Sequence, residues 1–483
     1  MAKLELLFIP PPLPGHVVST VEFARGLLKR DSRFSATILV MKSPFGAPPS
    51  TDSKTNSATT TLADATSAIR LVSLPEVERP PPELFKECME KYVTQYVESH
   101  KPHVRDAVSD LLNSGANPSS LAGLVVDVFT TSMIDVANEL GVPSYLFFTS
   151  GAAMLGLVLH LPTHYDRVGT GFSESDHEII VPSFKNPIPV STIPSFLLTK
   201  TGYITFDNHS RRFRETKGIL VNTFAELEPY AINSFLGGQT PPVYTVGPIL
   251  DLSGDAHGRT NSDKRDRIMK WLDAKPESSV IFLCFGSAGS MHEAQVKEVA
   301  RGLMRSRTRF LWSVRKPPPE GAAGGPTDYT DEDLKDMLPE FASLLEEGTG
   351  MVCGWAPQAE VLAHDAIGGF VSHCGWNSVL ESLWFGRPIV TWPMYAEQQS
   401  NAFLLARELG LAVEMRLAYG GDSGDLVVAD ELETAIRRLM DEDNEVRRRV
   451  KEVADIGRGA LLQGGSSYNS VGRFIDDVIG NHR

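Results

Sequence analysis

Two kinds of chemistry are legible in residue types and spacing. The first lies in residues 355–398, WAPQAEVLAHDAIGGFVSHCGWNSVLESLWFGRPIVTWPMYAEQ. Residues 368–372 are a short apolar run that suits a buried strand. His373-Cys374-Gly375 then turns the chain, and a helix is predicted to begin near Trp376 or Asn377. After Gly386-Arg387-Pro388, a second buried strand over 389–392 completes a βαβ unit. Such a unit presents free backbone N–H groups and a positive helix end just past the strand, where an anion binds. His373, Asn377, Ser378 and Glu381 gather at that turn. Glu397 and Gln398 follow the next strand, and the indole of Trp355 stands at the start. The set suits a nucleotide diphosphate with a sugar attached.

The second is a proton acceptor. His16 follows Pro14-Gly15, between the apolar run 4–10 and the helical pattern 17–30. An imidazole there can face a cleft, and with a pKa near ~6.5 it takes a proton near neutral pH. Position alone equally allows a solvated histidine in a surface turn. Asp127 ends the apolar run 121–126. A carboxylate at a strand's carboxyl end can hydrogen-bond a histidine, fix its tautomer and stabilise the imidazolium. The competing role is N-cap of the following helix. That role is expected to fall to Thr130, Thr131 or Ser132, nearer the helix start, and the neighbouring acid Asp135 lies within the helix.

The other candidates each have a plain structural alternative. Trp355 can stack on a base or fill a core, and Gln358 can read a nucleoside or sit solvated in a first helical turn. His373 can donate to a diphosphate beside the N–H groups of Asn377 and Ser378, or be a satisfied loop histidine. Ser378 and Glu381 match the S-x-x-E capping box, while a carboxylate also suits a vicinal diol as a bidentate acceptor. Ser287 can meet phosphate or be a turn serine. Ser290 and Glu293 repeat S-x-x-E and are predicted to cap the helix over 293–306. Thr149 or Ser150 can meet a sugar or bond to backbone as core hydroxyls.

These groups need a scaffold that collects strand ends. In the first half, strands are predicted over 4–10, 34–41, 69–74, 121–126, 144–148 and 218–222, the last of that half. Helices are predicted over 17–30, 83–112 and 131–140, and residues 43–67, rich in Ser, Thr, Ala and Pro, read as a loop. The apolar stretch 146–159 is too short for a membrane span of ~20 residues and reads as a strand end running into a buried helix. In the second half, strands over 279–285 and 310–314 flank the helix 293–306, and the Pro/Gly-rich 317–330 reads as a mobile segment. The tail 466–479 has helical periodicity. Strand–helix alternation predicts parallel sheets covered on both faces, with ligands at the carboxyl ends of strands. The polar stretch 252–267 is placed as a linker, which divides the chain into 1–251, 268–465 and a tail helix 466–483.

Composition bounds the rest. A chain of 483 residues exceeds one ordinary core, so two domains are expected. A formal charge of −14 speaks against a phosphate-tracking nucleic-acid surface. Cys88, Cys284, Cys353 and Cys374 show no C-x-x-C pattern, which fits a reducing compartment and gives no support to a metal or disulfide framework. No signal-peptide pattern precedes the prolines after residue 9, and a cytoplasmic location is expected. A nicotinamide oxidoreductase would share the alternation, but G-x-G-x-x-G is missing after a predicted strand.

The block 355–398 resembles the signature box of the plant family 1 UDP-dependent glycosyltransferases. The resemblance rests on its WAPQ opening, its HCGWNS core, the Glu three residues beyond and the closing acidic-Gln pair. It extends in order and spacing over nearly the whole chain and is weakest in the acceptor-side loops. It implies the GT-B fold, two facing Rossmann-like domains with a cleft between them and the tail helix packed back across the first. It implies His16 as general base and Asp127 as its partner. The donor-binding residues it implies are Ser287, Trp355, Ala356, Gln358, His373, Trp376, Asn377, Ser378, Glu381, Glu397 and Gln398, with Thr149 as a further sugar contact. In the family the Ser at position 378 touches phosphate and the Glu at 381 accepts from both ribose hydroxyls, and with a uridine donor the base on which Trp355 can stack is uracil. Asp is commoner than Glu at position 397, and Gln at 398, where the family often has His, favours glucose over galactose. The implied reaction is inverting transfer of glucose from UDP-glucose to a hydroxyl of a small lipophilic acceptor: a phenolic, flavonoid or terpenoid. Nitrogen or sulfur acceptors remain open. UDP-glucose is a co-substrate, with no cofactor and no metal required, and a monomer is expected. A non-catalytic nucleotide-sugar sensor would keep the box but would not need His16 and Asp127.

Overall fold

The structure, a computed structural model, describes residues 3–45, 69–113, 121–238, 240–252, 262–318, 326–329, 333–334, 337, 339–418 and 425–482. Its first sheet has strands β1 (Leu4–Ile9), β2 (Phe34–Val40), β3 (Ile69–Ser73), β4 (Leu121–Asp127), β5 (Ser144–Phe148), β6 (Ile219–Val221) and β7 (Val243–Thr245). All pair in parallel in the order β3-β2-β1-β4-β5-β6-β7. The second comprises β8 (Val280–Cys284), β9 (Arg309–Ser313), β10 (Gly350–Cys353), β11 (Ile367–Ser372), β12 (Ile389–Thr391) and β13 (Ala412–Glu414). These too are parallel, in the order β10-β9-β8-β11-β12-β13. β4, β5, β8 and β11 are buried along their whole length, as strands covered on both faces must be.

The helices that bear on the site are α1 (Pro14–Arg30), α2 (Ala152–Val168), α3 (Glu293–Ser306), α4 (Gln358–Ala363), α5 (Trp376–Trp384), α6 (Gln398–Phe403), α7 (Glu445–Leu461) and α8 (Ser466–His482). Pro14 opens α1 at a position whose N–H would be unpaired in any case. The tail helix α8 returns to the first sheet. Phe474, Ile475 and Val478 are buried with Leu6, Phe8 and Tyr145, and the Phe474 ring meets Tyr145 edge-on at 5.3 Å. Its neighbour α7 packs on α5 of the second half.

Several expectations need correcting. The predicted final strand of the first half, 218–222, is followed by β7, which pairs on its far side. The predicted helix 83–112 is three helices, Pro82–Glu87, Met89–Ser99 and Lys101–Asn113. Of the linker stretch 252–267, residues 253–261 lie outside the described residues and 262–267 open the helix Ser262–Asp273. Most of the loop 43–67 and residues 319–325 and 330 of the Pro/Gly-rich segment also lie outside them, while Thr327–Asp328 pairs antiparallel with Arg315–Lys316.

In both sheets the order reverses beside the first strand in sequence, between β1 and β4 and between β8 and β11. A crevice opens at the carboxyl ends of strands at such a switch point. His16 lies in the first turn of the helix after β1, Asp127 closes β4, and Ser287 and His373 lie in the turns after β8 and β11. The two switch points meet. Asn377 Nδ2 donates to Gly15 O at 3.4 Å, and Ser19 Oγ donates to Asn377 Oδ1 at 3.3 Å.

Candidate active site

His16 lies in the first turn of α1, and its Nδ1 donates to Asp127 Oδ2 at 2.8 Å. The His16 side chain is 23% exposed and that of Asp127 only 3%, so the acid sits behind the base. The carboxylate accepts the Nδ1 proton, which leaves the Nε2 lone pair free. Burial works to lower the His16 pKa. The Asp127 charge, the Asp127 hydrogen bond and the field of Glu397 outweigh it and hold the imidazole above 6.5. Glu397 belongs to the second half, so its influence at His16 marks the closeness of the two halves.

Asp127 has a second task. Its Oδ1 accepts from Phe129 N at 3.1 Å, and its own N–H donates to Thr130 Oγ1 at 2.7 Å. The capping role expected at residues 130–132 therefore falls to Asp127, because a 3₁₀ turn, Val128–Met133, opens directly at the strand end. One oxygen caps and the other holds the histidine. Asp135 is on the surface, paired with Lys101 and Arg212. Thr149, just past β5, lies 3.1 Å from the same His16 Nδ1. Its contact is thus on the Asp127 side of the ring, and Ser150 Oγ is buried without a protein partner among the described residues.

Across the cleft, Gln358 Nε2 donates to Ser378 Oγ and to Glu381 Oε2, each at 2.7 Å. The capping-box alternative for Ser378 and Glu381 is excluded: the N-cap of α5 is Gly375, with no side-chain cap, and both residues lie inside the helix. Burial pushes the Glu381 carboxyl up to about 7, against the Gln358 hydrogen bond and with help from the Asp251 charge. The first backbone bond of α5 runs from Val379 N to Gly375 O, so the amides of residues 376–378 have no partner within the helix. Cys374, at φ 62, makes the turn between β11 and that helix.

His373 is buried, and burial followed by the Arg315 charge lowers its pKa to about 4. It is a neutral donor at physiological pH. A Cβ on Gly286 would sit 2.5 Å from its Nε2, and one on Gly375 would sit 2.6 Å from it, so both glycines make room for the ring. Ser287 occupies the turn after β8, its carbonyl bonded to Arg315 Nη1 at 2.9 Å. The predicted Ser290 cap is absent: α3 starts at Glu293 with His292 as N-cap. Met394 N and Tyr395 N donate to Gln398 Oε1 at 2.9 and 3.0 Å. The Gln398 side-chain oxygen is therefore committed to the backbone of the loop after β12. Glu397, partly exposed, stands before α6.

Trp355 is half-buried rather than a core residue, and Ala356 beside it is buried. The Trp376 side chain departs from its donor-binding assignment. It is 2% exposed, and its Nε1 donates to Asn222 O at 2.7 Å, so the indole joins the halves and leaves only its backbone to a ligand. Glu228, which the residue pattern did not single out, accepts from Ala152 N and Ala153 N at 2.9 and 2.8 Å and so starts α2 behind Thr149. Arg315 was also missed; its one signal was a basic residue closing an apolar run. Among the described residues no group of three or more His, Cys, Asp or Glu is placed to hold a metal ion, and no helix is long and apolar enough to cross a membrane.

The sequence profile of the family described as "UDP-glucoronosyl and UDP-glucosyl transferase" matches residues 78–449. The chain belongs to the UDP-glycosyltransferase family. This UDP-glycosyltransferase is 49% identical to "UDP-glycosyltransferase 71K2" of Pyrus communis, over 100% of this chain and 99% of the relative. It is also 49% identical to "UDP-glucose flavonoid 3-O-glucosyltransferase 6" of Fragaria ananassa, over 98% of each chain. Among solved structures it resembles Medicago truncatula UGT71G1 complexed with UDP-glucose, with a TM-score of 0.88 and 42% identity over 99% of this chain and 98% of that one. The two-sheet architecture of this UDP-glycosyltransferase is accordingly the GT-B fold.

Proposed function

We propose that this enzyme transfers glucose from UDP-glucose to a hydroxyl of a small lipophilic acceptor, a phenol or flavonoid, with inversion at the anomeric carbon. The observation that carries the reading is the His16–Asp127 pair, 2.8 Å long, on a helix turn bonded to Asn377 of the anion-binding turn. His16 Nε2 takes the acceptor proton as the acceptor oxygen bonds to the anomeric carbon. The bond from that carbon to the UDP oxygen breaks on the opposite face. The charge that grows on UDP meets the free amides at the N-terminus of α5 and the neutral donor His373, a set that supplies the stabilisation without a metal. Glu381 and Gln358 take the ribose end, Trp355 the uracil, and Glu397 and the Gln398 NH₂ the sugar hydroxyls.

The flavonoid glucosyltransferase name of a relative 49% identical supports the acceptor class, and the UDP-glucose in the complex of a structure 42% identical supports the donor. The same reading assigns residues 1–251 to the acceptor, 268–465 to the donor, 252–267 to a linker and 466–483 to a tail that braces the first half. Its support is the separate sheet in each half. The test is UDP-glucose with a panel of phenols, flavonoids, terpenoid alcohols and amines, read by mass. A hexose adduct on hydroxyl-bearing acceptors, lost in His16→Ala, is the expected result. Adducts on amines alone, or none with any acceptor, would refute it.

A further inference from the structure

A cation lies beneath the turn that follows β8. Arg315 is 8% exposed. Its Nη1 donates to Ser287 O at 2.9 Å, and its Nη2 donates to Gly289 O at 3.0 Å and to Gly286 O. The nearby ion pairs are Lys316–Asp333 and Lys264–Asp328, and none among the described residues includes Arg315. A buried charge ordinarily keeps a counter-charge beside it. Here, among the described residues, the acceptors for the terminal guanidinium nitrogens are three neutral carbonyls.

The carbonyls also dictate where the amides point. A trans peptide directs its N–H opposite to its C=O. With the oxygens of Gly286, Ser287 and Gly289 turned onto the guanidinium, the N–H groups of Ser287, Ala288 and Ser290 turn away from it. Gly286, at φ 74, supplies the left-handed residue the turn requires, and the amides of Ser287 and Ser290 have no protein acceptor among the described residues. Outward N–H groups in a turn with one left-handed residue form an anion-binding concavity. His373 stands against the same turn, over Gly286, and feels the Arg315 charge.

We propose that Arg315 is a positioning residue for the donor's diphosphate: it holds the turn 286–289 so that the amides of Ser287 and Ser290 face outward, and its buried charge, which has no ion-pair partner among the described residues, draws the diphosphate to the far side of that turn. This rests on the UDP-sugar reading above. Calorimetry of the full chain with UDP and with uridine tests it. Arg315→Gln should weaken UDP by about tenfold or more and uridine by less than about twofold, as expected when a charge-assisted contact to the diphosphate alone is lost. Arg315→Lys keeps the charge without the planar fork, so its UDP affinity should fall between wild type and Arg315→Gln. In Arg315→Gln the His373 imidazole should titrate above its value of about 4, read by NMR, and in Arg315→Lys it should stay closer to that value. A role confined to folding would move neither the contrast between ligands nor the contrast between variants. If Arg315→Gln fails to fold, the UDP-against-uridine contrast in Arg315→Lys decides. UDP affinity unchanged, or UDP and uridine weakened equally, would overturn the proposal alone. No heat from wild type with UDP would overturn the donor reading together with it.

Discussion

His16 is subject to opposed pressures, and their balance sets a pH dependence. Burial disfavours the imidazolium, while Asp127 and Glu397 favour it and prevail. A pKa raised above 6.5 in the fold means that His16 stabilises the protein fully below its unfolded value and loses that contribution as pH rises through the folded value. As the proposed base His16 acts in its neutral form, so activity should gain over the window in which this stability is lost. The acid limb of kcat/KM should lie above pH 6.5. Asp127→Asn should move that limb to lower pH, since burial then acts without the carboxylate, and should lower the plateau by roughly 10²-fold or more. A limb that stays in place would refute the pairing as its cause. His16→Ala should lose ~10²–10⁴ in kcat while UDP binding survives. Glu381 makes a separate prediction. Its carboxyl is pushed up to about 7 by burial, and in the proposed role it has to be ionised to accept from both ribose hydroxyls. UDP binding near pH 7 should therefore release protons, seen by calorimetry in buffers of different ionisation enthalpy, and Glu381→Gln should abolish the release.

Elements act here through their ends. The turn and helix that follow β11 present Cys374 at φ 62, three amides with no acceptor within the helix and the Trp376 indole, which reaches Asn222 in the other half. Trp376→Phe keeps the ring but removes that hydrogen bond, and should cost about 1 kcal/mol of stability by denaturant titration. A loss near zero would mean that water replaces the indole without penalty. The turn after β8 explains the failure of the Ser290 cap. Its carbonyls are drawn onto Arg315, and Met291 N bonds to Arg315 O at 3.0 Å. The chain is thus committed to the neighbouring strand before α3 can begin, and a local S-x-x-E pattern has no means of registering that pull.

At the scale of the molecule, two parallel sheets meet at their switch points and α8 ties the tail to the first sheet. Phe474 is fully buried between Tyr145 and Tyr244, so Phe474→Ala should cost about 3–5 kcal/mol. A change under about 1 kcal/mol by denaturant titration would show that the tail contributes little to the first half. Donor choice also belongs to this scale, since in the proposed reading it depends on where the second half holds the sugar over His16. With Gln398 Oε1 taken by two backbone amides, Gln398→His should erode preference for UDP-glucose over UDP-galactose in a competition assay. An unaltered ratio would count against that contact.

The sequence alone determined the alternating architecture and the chemistry of the signature block. Strands covered on both faces are continuous apolar runs, and β4, β5, β8 and β11 are legible for that reason. β7 was missed because Val243–Thr245 lies between Pro241-Pro242 and Gly247-Pro248, residues that read as turns. A motif whose members are near in sequence, such as Gln358, Ser378 and Glu381, declares its residue types. Whether its serine caps a helix or faces a ligand depended on where α5 begins. Only the tertiary structure decided that Asp127 serves two partners, that the Trp376 indole spans to a residue 154 positions away, and that Arg315 lies beneath the turn of Ser287. The physical reason is that hydrogen bonds and charges act over a few ångströms of space, whereas residue patterns record neighbours along the chain.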